Sequence, residues 1–300
     1  MAQLHMYIGK GGVGKSTSSS MEALRFAKDK AKKVLLVSMD PAHNLHDLFK
    51  TRLGEKQTKV TSNLSLSEFD IDKKSREYMA SIQKELKGLY HYQQALNIDK
   101  YFNILKFAPG MEEYASLLVL EQCFAEKNHN DVVLIDTPPT ALTLKTLALP
   151  SVNLHWVDHL IGMREEIVQK KNCIANIRKE NLNTLSEDPI FGRLLRMQKR
   201  YAKLKEQLMD TEITEICLVL NEDDLSFAES LMIQEQLKSL SIGISKIIVN
   251  KGSSQSQQIQ RIANSFPEAS LELIPLGDNP IQGLENLERF SERITMYRQR

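Results

Sequence analysis

The sequence has few cysteines and no excess of either charge. Its three cysteines are Cys123, Cys173 and Cys217 in 300 residues. Their odd number and wide spacing exclude a disulfide framework and a CxxC metal site, and they fit a reducing cytosol. Because 39 basic side chains oppose 38 acidic ones, for a net charge of +1, we expect no nucleic-acid partner.

Long apolar runs and targeting segments are also absent. No apolar run approaches the roughly 20 residues needed to cross a bilayer, and no signal peptide precedes the first predicted strand. We therefore expect a cytoplasmic protein. The length is sufficient to bury a large core, in one large α/β domain or two small ones.

A glycine-rich motif lies near the N-terminus, where Leu4 to Ser20 reads LHMYIGKGGVGKSTSSS. It fills the GxxxxGK[ST] pattern of a phosphate-binding loop, between an apolar run of strand length and the start of a helix. Glycines let backbone N–H groups approach phosphate oxygens, and the helix N-terminus adds partial positive charge. The predicted nucleotide-binding residues of the loop are Gly9, Lys10, Gly11, Gly12, Val13, Gly14, Lys15, Ser16 and Thr17.

Three side chains of this loop have predicted roles with ATP or ADP. Lys15 should reach the β- and γ-phosphates, and the Ser16 hydroxyl should ligate Mg²⁺. Lys10 follows the first glycine of the motif, where a lysine need not serve the same nucleotide. The alternative interpretation of Lys10 is a solvated turn residue.

Two aspartates follow or end apolar runs further along the chain. Asp40 comes directly after VLLVSM, and Asp136 ends VVLID. Because open α/β sheets bind ligands at the carboxyl ends of their strands, both are predicted to lie at the nucleotide site. Asp40 should orient the water that attacks the γ-phosphate, and Asp136 should hold Mg²⁺ through its water shell. An Asp before Pro is also an ordinary turn opener.

The strand and helix patterns predict an α/β phosphate-loop fold with a mostly parallel, doubly wound sheet and one domain over residues 1–300. Helical patterning dominates at about 73–124 and 151–210, so we predict a helical subdomain formed by these two insertions. Within the first insertion, we predict a helix over 73–103 and a strand over 104–108.

The apolar stripes of the insertions have two interpretations. They pack on one another, or they line a groove for a hydrophobic client. The apolar middle of the helix predicted over 111–124 favours the groove. So do the adaptable side chains of four methionines, which are Met111, Met163, Met197 and Met209.

Strand patterning returns in the last third of the chain. Asn250 ends the strand predicted over 246–250 and can hydrogen-bond a purine edge, although Asn-Lys-Gly is also a routine turn. Pro275 follows another strand and can cover the face of the base. The final helix is predicted to extend to Tyr297, with one apolar side and nearby arginines, and it lies on a membrane surface or docks on the sheet.

Five segments together resemble one known family in order and spacing. They are GKGGVGKST, DPAHNLHDLF, DTPPTALTLKTLALP, IIVNKG, and IPL followed by GLENLERFSE. The family is the arsenical pump-driving ATPases, which have a deviant Walker A loop and include the cytosolic ATPases that target tail-anchored membrane proteins. The resemblance runs from about residue 4 to about residue 292. ATPases of DNA partition and septum placement share the first segment but not the second.

The resemblance implies site residues beyond those the spacing supports. In this family the lysine at the position of Lys10 contacts the nucleotide of the opposite subunit, so the resemblance implies a homodimer. The hydrolytic aspartate corresponds to Asp40, the switch II aspartate to Asp136 and the adenine-contacting asparagine to Asn250. A nucleotide-contacting acidic residue corresponds to Asp223, where the family usually has Glu.

Two departures from the family pattern concern metals. The zinc-binding CxxC pair of the eukaryotic targeting ATPases is replaced by SSQSQQIQ, and the cysteines do not match the metalloid-binding positions of the arsenite pumps. We expect an Mg²⁺-dependent ATPase whose dimer couples hydrolysis to binding and release of a hydrophobic membrane-protein client. The alternatives are the ATPase subunit of an arsenite or anion efflux pump and a membrane-surface switch of the septum-placement type.

Overall fold

The structure is a computed structural model that describes residues 3–42, 44–89, 110–179, 184–253, 256–277 and 281–297. The strand predicted over 104–108 and the end of the helix predicted over 73–103 lie outside these ranges. The described strands are β1 Gln3–Ile8, β2 Val34–Ser38, β3 Thr58–Lys59, β4 Leu64–Glu68, β5 Val132–Asp136, β6 Thr214–Asn221, β7 Lys246–Asn250, β8 Ser270–Ile274 and β9 Thr295–Met296. The described helices are α1 Lys15–Ala27, α2 Asn44–Phe49, α3 Ile71–Leu89, α4 Met111–Glu126, α5 Thr140–Arg178, α6 Pro189–Met209, α7 Asp224–Ser239, α8 Gln257–Ser265 and α9 Leu284–Ser291, with a 3₁₀ turn at Leu185–Glu187.

The described strands form one sheet in the order β3-β4-β2-β5-β1-β6-β7-β8-β9. Neighbouring strands are parallel except at the two edges, where β3 and β9 are antiparallel to β4 and β8. Since α1 covers one face and α4 the other, the predicted mostly parallel, doubly wound α/β fold is confirmed. The central strand β1 leads directly into the glycine-rich loop, so the most buried part of the sheet positions that loop.

The helix α4 belongs to the core. Its middle residues Ala115, Leu117 and Val119 are buried, and they pack in one cluster with alternate residues of β1. A helix covered by the sheet on one side and by other helices around it needs apolar residues all round. The apolar middle of α4 is therefore explained by burial, and it gives no support to a client groove at that helix.

The helix α5 continues through a proline. It has 39 residues with Pro150 inside it, whereas the sequence pattern indicates a new helix after this residue. Proline removes one backbone hydrogen bond from a helix interior, but Leu147 and Val157 on either side are buried in the core, and this packing holds the helix together. At 1.5 Å per residue α5 is about 58 Å long.

The helices α3, α4, α5 and α6 pack in succession beside the sheet. Partly buried ion pairs connect them: Arg200 of α6 pairs with Glu121 of α4, and Arg164 of α5 binds Asp188 through two hydrogen bonds of 3.0 and 2.6 Å. Asp188 also caps α6 by accepting from the Phe191 backbone N–H at 2.8 Å. The Arg164 guanidinium and this cap lower the pKa of Asp188 to about 2.

The last helix is shorter than predicted. α9 ends at Ser291, and the chain turns back so that the Tyr297 N–H donates to the Leu271 carbonyl at 2.8 Å. Leu287 and Phe290 are buried against α1, because an eight-residue amphipathic helix is stabilised by packing its apolar face. The helix therefore docks on the sheet domain. Within the described ranges, no helix combines the length and the apolar composition needed to cross a bilayer.

Candidate active site

Two glycines of the loop between β1 and α1 are required by close contacts. Gly9 has φ of 152°, and a Cβ there would lie 2.1 Å from the carbonyl oxygen of Val219 on β6. Gly14 has φ of 95°, and a Cβ there would lie 2.4 Å from the side-chain nitrogen of Asn250 on β7. The first contact is with backbone and the second with a side chain, so Gly9 is the less replaceable of the two.

The start of α1 is arranged to bind an anion. Gly14 occupies the N-cap position without a side-chain hydrogen bond, which leaves the N–H groups of the first turn available for phosphate oxygens. Lys15 is only 5% exposed, and its Nζ donates to the carbonyls of Gly9 at 3.2 Å and Lys10 at 3.4 Å. Its ammonium group therefore lies inside the curve of the loop. Ser16 and Thr17 follow in the first turn of the helix, while Gly11 and Gly12 are exposed.

Asp136 and Asp40 lie at the same edge of the sheet, at the carboxyl ends of the neighbouring strands β5 and β2. Ser38 joins them: its hydroxyl donates to Asp136 Oδ2 at 3.3 Å and accepts from the Asp40 N–H at 3.2 Å. Asp40 Oδ1 accepts from the Ala42 N–H at 3.0 Å, which fixes the carboxylate. Ser38 was not predicted as a site residue; the signal was a hydroxyl at the end of a buried apolar strand.

Asp136 is completely buried, and burial raises its pKa to about 7, with a further contribution from Asp40. The Ser16 hydroxyl, Lys15 and Ser38 act in the opposite direction. Among the described residues, Asp136 Oδ1 has no hydrogen-bond partner. A buried carboxylate oxygen without a partner beside a serine hydroxyl fits a magnesium ion, which prefers hard oxygen ligands and keeps several waters.

The loop after β5 is attached to β1. The Thr137 hydroxyl donates to the Tyr7 carbonyl at 2.7 Å, and the Thr143 hydroxyl donates to the Pro138 carbonyl at 2.7 Å. The helix α5 begins directly after this turn, at Thr140. The segment next to the Asp136 carboxylate is therefore continuous with the longest described helix.

The three remaining predicted site residues lie at neighbouring strand ends. The Asn250 side chain donates to the Val13 carbonyl at 2.8 Å, so it contacts the glycine loop directly. Asp223 caps α7 by accepting from the Ser226 N–H at 2.8 Å, which gives it a structural role, and its contact with nucleotide stays a prediction. Pro275 directly follows β8 and is half-buried; its predicted place over the base also remains untested.

Lys10 points toward α7. Its Nζ lies 3.6 Å from Glu229 Oε2, and about a third of each side chain is exposed. Glu229 was not predicted, because nothing in its local sequence marks a residue more than 200 positions away as a partner of the loop. An exposed pair of this kind is worth about 0 to 1 kcal/mol, so Lys10 can leave Glu229 at small cost.

Glu229 also lines a groove of about 730 Å³ between the first turns of α5 and the whole length of α7. The groove is mostly apolar, and Leu225 and Met232 on its α7 side are strongly exposed. It connects the Lys10 side of the glycine loop with the start of the helix that follows Asp136.

The parallel sheet, the glycine loop entering α1 and the two carboxylates at adjacent strand ends define a phosphate-loop nucleoside triphosphatase. A sequence model of the anion-transporting ATPase family matches residues 3–296. The chain belongs to this family and is an ATPase, which confirms the resemblance to the arsenical pump-driving ATPases.

Individual relatives match over nearly the whole chain. A protein of Aquifex aeolicus named as an arsenical pump-driving ATPase is 28% identical over 299 residues, covering 95% of this chain and 96% of that protein. The ATPase GET3 of Lodderomyces elongisporus is 28% identical over 314 residues, covering 95% and 87%. The ATPase ASNA1 homolog 1 of Paramecium tetraurelia is 25% identical over 301 residues, covering 95% and 89%.

Proposed function

We propose that this ATPase works as a Mg²⁺-dependent homodimer in the cytosol and couples ATP hydrolysis to binding and release of a hydrophobic membrane-protein segment. The observation that supports this most is the course of α5. The helix begins at the loop that follows Asp136 and exposes an apolar stripe further along. One rigid element thus connects the nucleotide site with a surface suited to an apolar client.

The exposed stripe of α5 is long enough for a membrane span. Trp156 is 64% exposed and Ile177 is 83% exposed. The residues of the stripe follow one another at intervals of three, four or seven, so they lie on one face of the helix; they are Val152, Trp156, Leu160, Met163, Ile167, Ile174 and Ile177. From residue 152 to residue 177 the stripe is about 37 Å long, against roughly 30 Å for a membrane core. Exposed apolar surface of this extent is typical of an interaction site.

Helices α3 to α6 would form the proposed helical subdomain around this stripe. Met163 belongs to the stripe, Met209 of α6 is also exposed, and flexible thioethers adapt to clients of varied sequence. Met197 is partly buried against the core, so it contributes to packing. A change at the nucleotide site that tilts the start of α5 would move the far end of the helix most, since the lever is about 58 Å long.

In the proposed reaction Lys15 and the N–H groups of α1 bind the phosphates of ATP, and Asp40 orients the attacking water. Ser16 and Asp136 would hold Mg²⁺, which neutralises charge on the phosphate oxygens when bound. Asn250 holds the loop through Val13 and would contact adenine, with Pro275 and Asp223 nearby.

The proposed homodimer gives Lys10 its role. Lys10 is partly exposed at the edge of the loop and weakly paired, so it is free to reach the phosphates bound to a second copy, as an arginine finger does. The apolar groove beside Glu229, with exposed Leu225 and Met232, supports a face that another copy covers.

Client binding can be tested with the stripe residues. A synthetic apolar peptide of about 20 residues with a photo-crosslinker should be captured by the wild-type chain in the presence of a nucleotide. The double variant Trp156→Ser, Ile177→Ser should lose capture and keep its ATPase rate. The matched control is Met296→Ser, at an exposed methionine on the edge strand β9. Equal capture by all three proteins would refute the stripe as the client surface.

The alternative function is that of an efflux-pump ATPase, and the name of the Aquifex aeolicus relative favours it. The thiols do not favour it: Cys123 and Cys217 are buried in the cores on opposite faces of the sheet, and Cys173 is exposed on α5. A metalloid site built from all three thiols would need a different arrangement. Stimulation of the ATPase rate by arsenite would support this alternative over the client function.

The alternative as a membrane-surface switch depended on a basic, amphipathic last helix. Because Leu287 and Phe290 of α9 are buried, the helix has no free apolar face along its described length. We expect no flotation with liposomes of anionic lipid.

A further inference from the structure

A cluster of potential metal ligands lies beneath α1, away from the nucleotide site. His5 on β1 is directly opposite Glu215 on β6, and Tyr7 is directly opposite Cys217. The imidazole of His5, the carboxylate of Glu215 and the thiol of Cys217 offer ligand atoms that all lie within 4.8 Å of one another. His5 and Cys217 are buried, and Glu215 is partly buried.

Two buried side chains at this cluster, His5 and Tyr7, lack hydrogen-bond partners among the residues that the structure describes. His5 is 1% exposed, and its Nδ1 lies 3.2 Å from Glu215 Oε2 but without hydrogen-bond geometry. Within the described part of the chain, neither His5 ring nitrogen nor the Tyr7 hydroxyl has a hydrogen-bond partner. Buried polar atoms without partners are costly, typically about 1 to 3 kcal/mol each, so several in one place indicate a ligand.

The charged side chains around the cluster carry a net negative charge, which favours a bound cation. Lys246 lies 3.1 Å from Glu22 and 3.6 Å from Glu215, and Arg25 lies 3.1 Å from Glu272. Without counting the imidazole and the thiol, these three carboxylates exceed the two cations by one negative charge. A divalent ion bound together with a thiolate offsets that charge.

We propose that His5, Glu215 and Cys217 form a site for one divalent transition-metal ion of the zinc class. Nitrogen, oxygen and sulfur donors together suit Zn²⁺ and Co²⁺ rather than Mg²⁺. Cys217 Sγ lies 3.9 Å from Glu215 Oε1, and all three ligand atoms lie within 4.8 Å of one another. The ligands therefore need to approach by no more than about 1.3 Å to reach a tetrahedral shell. On binding, the thiol S–H bond breaks, the proton goes to solvent and a metal–sulfur bond forms. Water or the Tyr7 hydroxyl completes the shell.

The site would connect β1 and β6, the two strands that hold the glycine loop. Burial holds the pKa of the Cys217 thiol well above its usual range, although Lys246 opposes this. Cys217 is fully buried, so it lacks the exposure that a reactive cysteine needs.

Cobalt is the direct probe, because thiolate ligation gives Co²⁺ a charge-transfer absorption that oxygen ligands do not give. Chelator-treated full-length protein, titrated with Co²⁺ without nucleotide, should show this band at about one ion per chain. Cys217→Ser should lose the band, and Cys173→Ser, the matched control at an exposed cysteine, should keep it. Absence of the band from the wild-type protein, or its persistence in Cys217→Ser, overturns the proposal.

A measurement on the wild-type chain avoids any folding defect of the variant. Zn²⁺ should slow alkylation of Cys217, because a thiolate bound to metal is not free to react; the modified thiol is detected by mass spectrometry of the digested protein. The buried thiol of Cys123 in α4 is the internal control and should not respond. Equal rates for Cys217 with and without Zn²⁺, or equal protection of both thiols, would contradict the site.

Discussion

Replacing Asp136 by Asn should remove a loss of stability that the nucleotide-free chain undergoes as pH rises, while abolishing hydrolysis. The carboxyl of Asp136 has a pKa of about 7 in the folded protein against an ordinary value of 3.8, chiefly because of burial. A group that binds its proton more tightly when folded stabilises the native state below the unfolded pKa. That contribution is lost as pH rises through the folded pKa.

The size of the effect follows from the difference in pKa. A pKa difference of roughly three, at about 1.4 kcal/mol per pH unit, lowers the free energy of unfolding by on the order of 4 kcal/mol between about pH 4 and about pH 8. Asn carries no titrating proton, so this pH-dependent part should be missing from the variant. The fixed cost of burying the amide shifts the whole curve equally and does not change the slope.

The assay is urea unfolding of both proteins at a series of pH values from about 5 to about 8, with chelator and without nucleotide. The difference in free energy of unfolding between Asp136→Asn and wild type should grow by roughly 3 kcal/mol over this range in favour of the variant. A constant difference would mean that Asp136 is ionised over this whole pH range. Burial would then not raise its pKa, and the interpretation of Asp136 as a buried carboxyl that needs a cation would be wrong. Adding Mg²⁺ and ADP should reduce the difference, because ligands stabilise the wild-type native state.

Two further predictions concern the glycine loop. Gly9→Ala should destabilise the fold by on the order of 3 kcal/mol or more, because its Cβ would lie 2.1 Å from a backbone oxygen. Gly11→Ala is the control, because a Cβ there has no neighbour within 4 Å, and it should change stability by less than about 1 kcal/mol. Similar denaturation midpoints for the two variants would contradict the close approach of Gly9 to Val219. Asn250→Ala should raise KM for ATP by on the order of tenfold, since one hydrogen bond to the loop is lost, and unchanged steady-state kinetics would show that this bond does not order the loop.

The position of the glycine loop and of the two aspartates in the candidate site was predictable because the sequence signals for them are local. The spacing of Gly9, Gly14 and Lys15 specifies the turn, and an acidic residue after a buried strand marks the ligand-binding edge of a parallel sheet. The order of apolar runs and helical segments was sufficient for the doubly wound fold. Each of these inferences uses residues within about one strand or one turn of each other.

The features that the sequence did not predict depend on contacts between residues that are far apart in the sequence. Pro150 indicates a helix end by itself, yet packing of α5 on both sides keeps the helix continuous. The apolar middle of α4 is equally compatible with a groove and with a core, and only the position of the sheet decides. The end of α9 is determined by pairing of the residues after it with β8. Ser38 and Glu229 became visible only when their partners were near in space.

The most direct test of the proposed dimer mechanism is complementation between two inactive variants. Lys10→Ala lacks the lysine that is supplied to the other subunit, and Asp40→Asn lacks the group that orients water in its own site. In a mixture of equal amounts, half of the dimers contain one chain of each kind, and each of these has one complete site. We expect the ATPase rate to recover to about a quarter of the wild-type rate. If the mixture hydrolyses ATP no faster than the separate variants, Lys10 does not act across a dimer and the central claim is wrong.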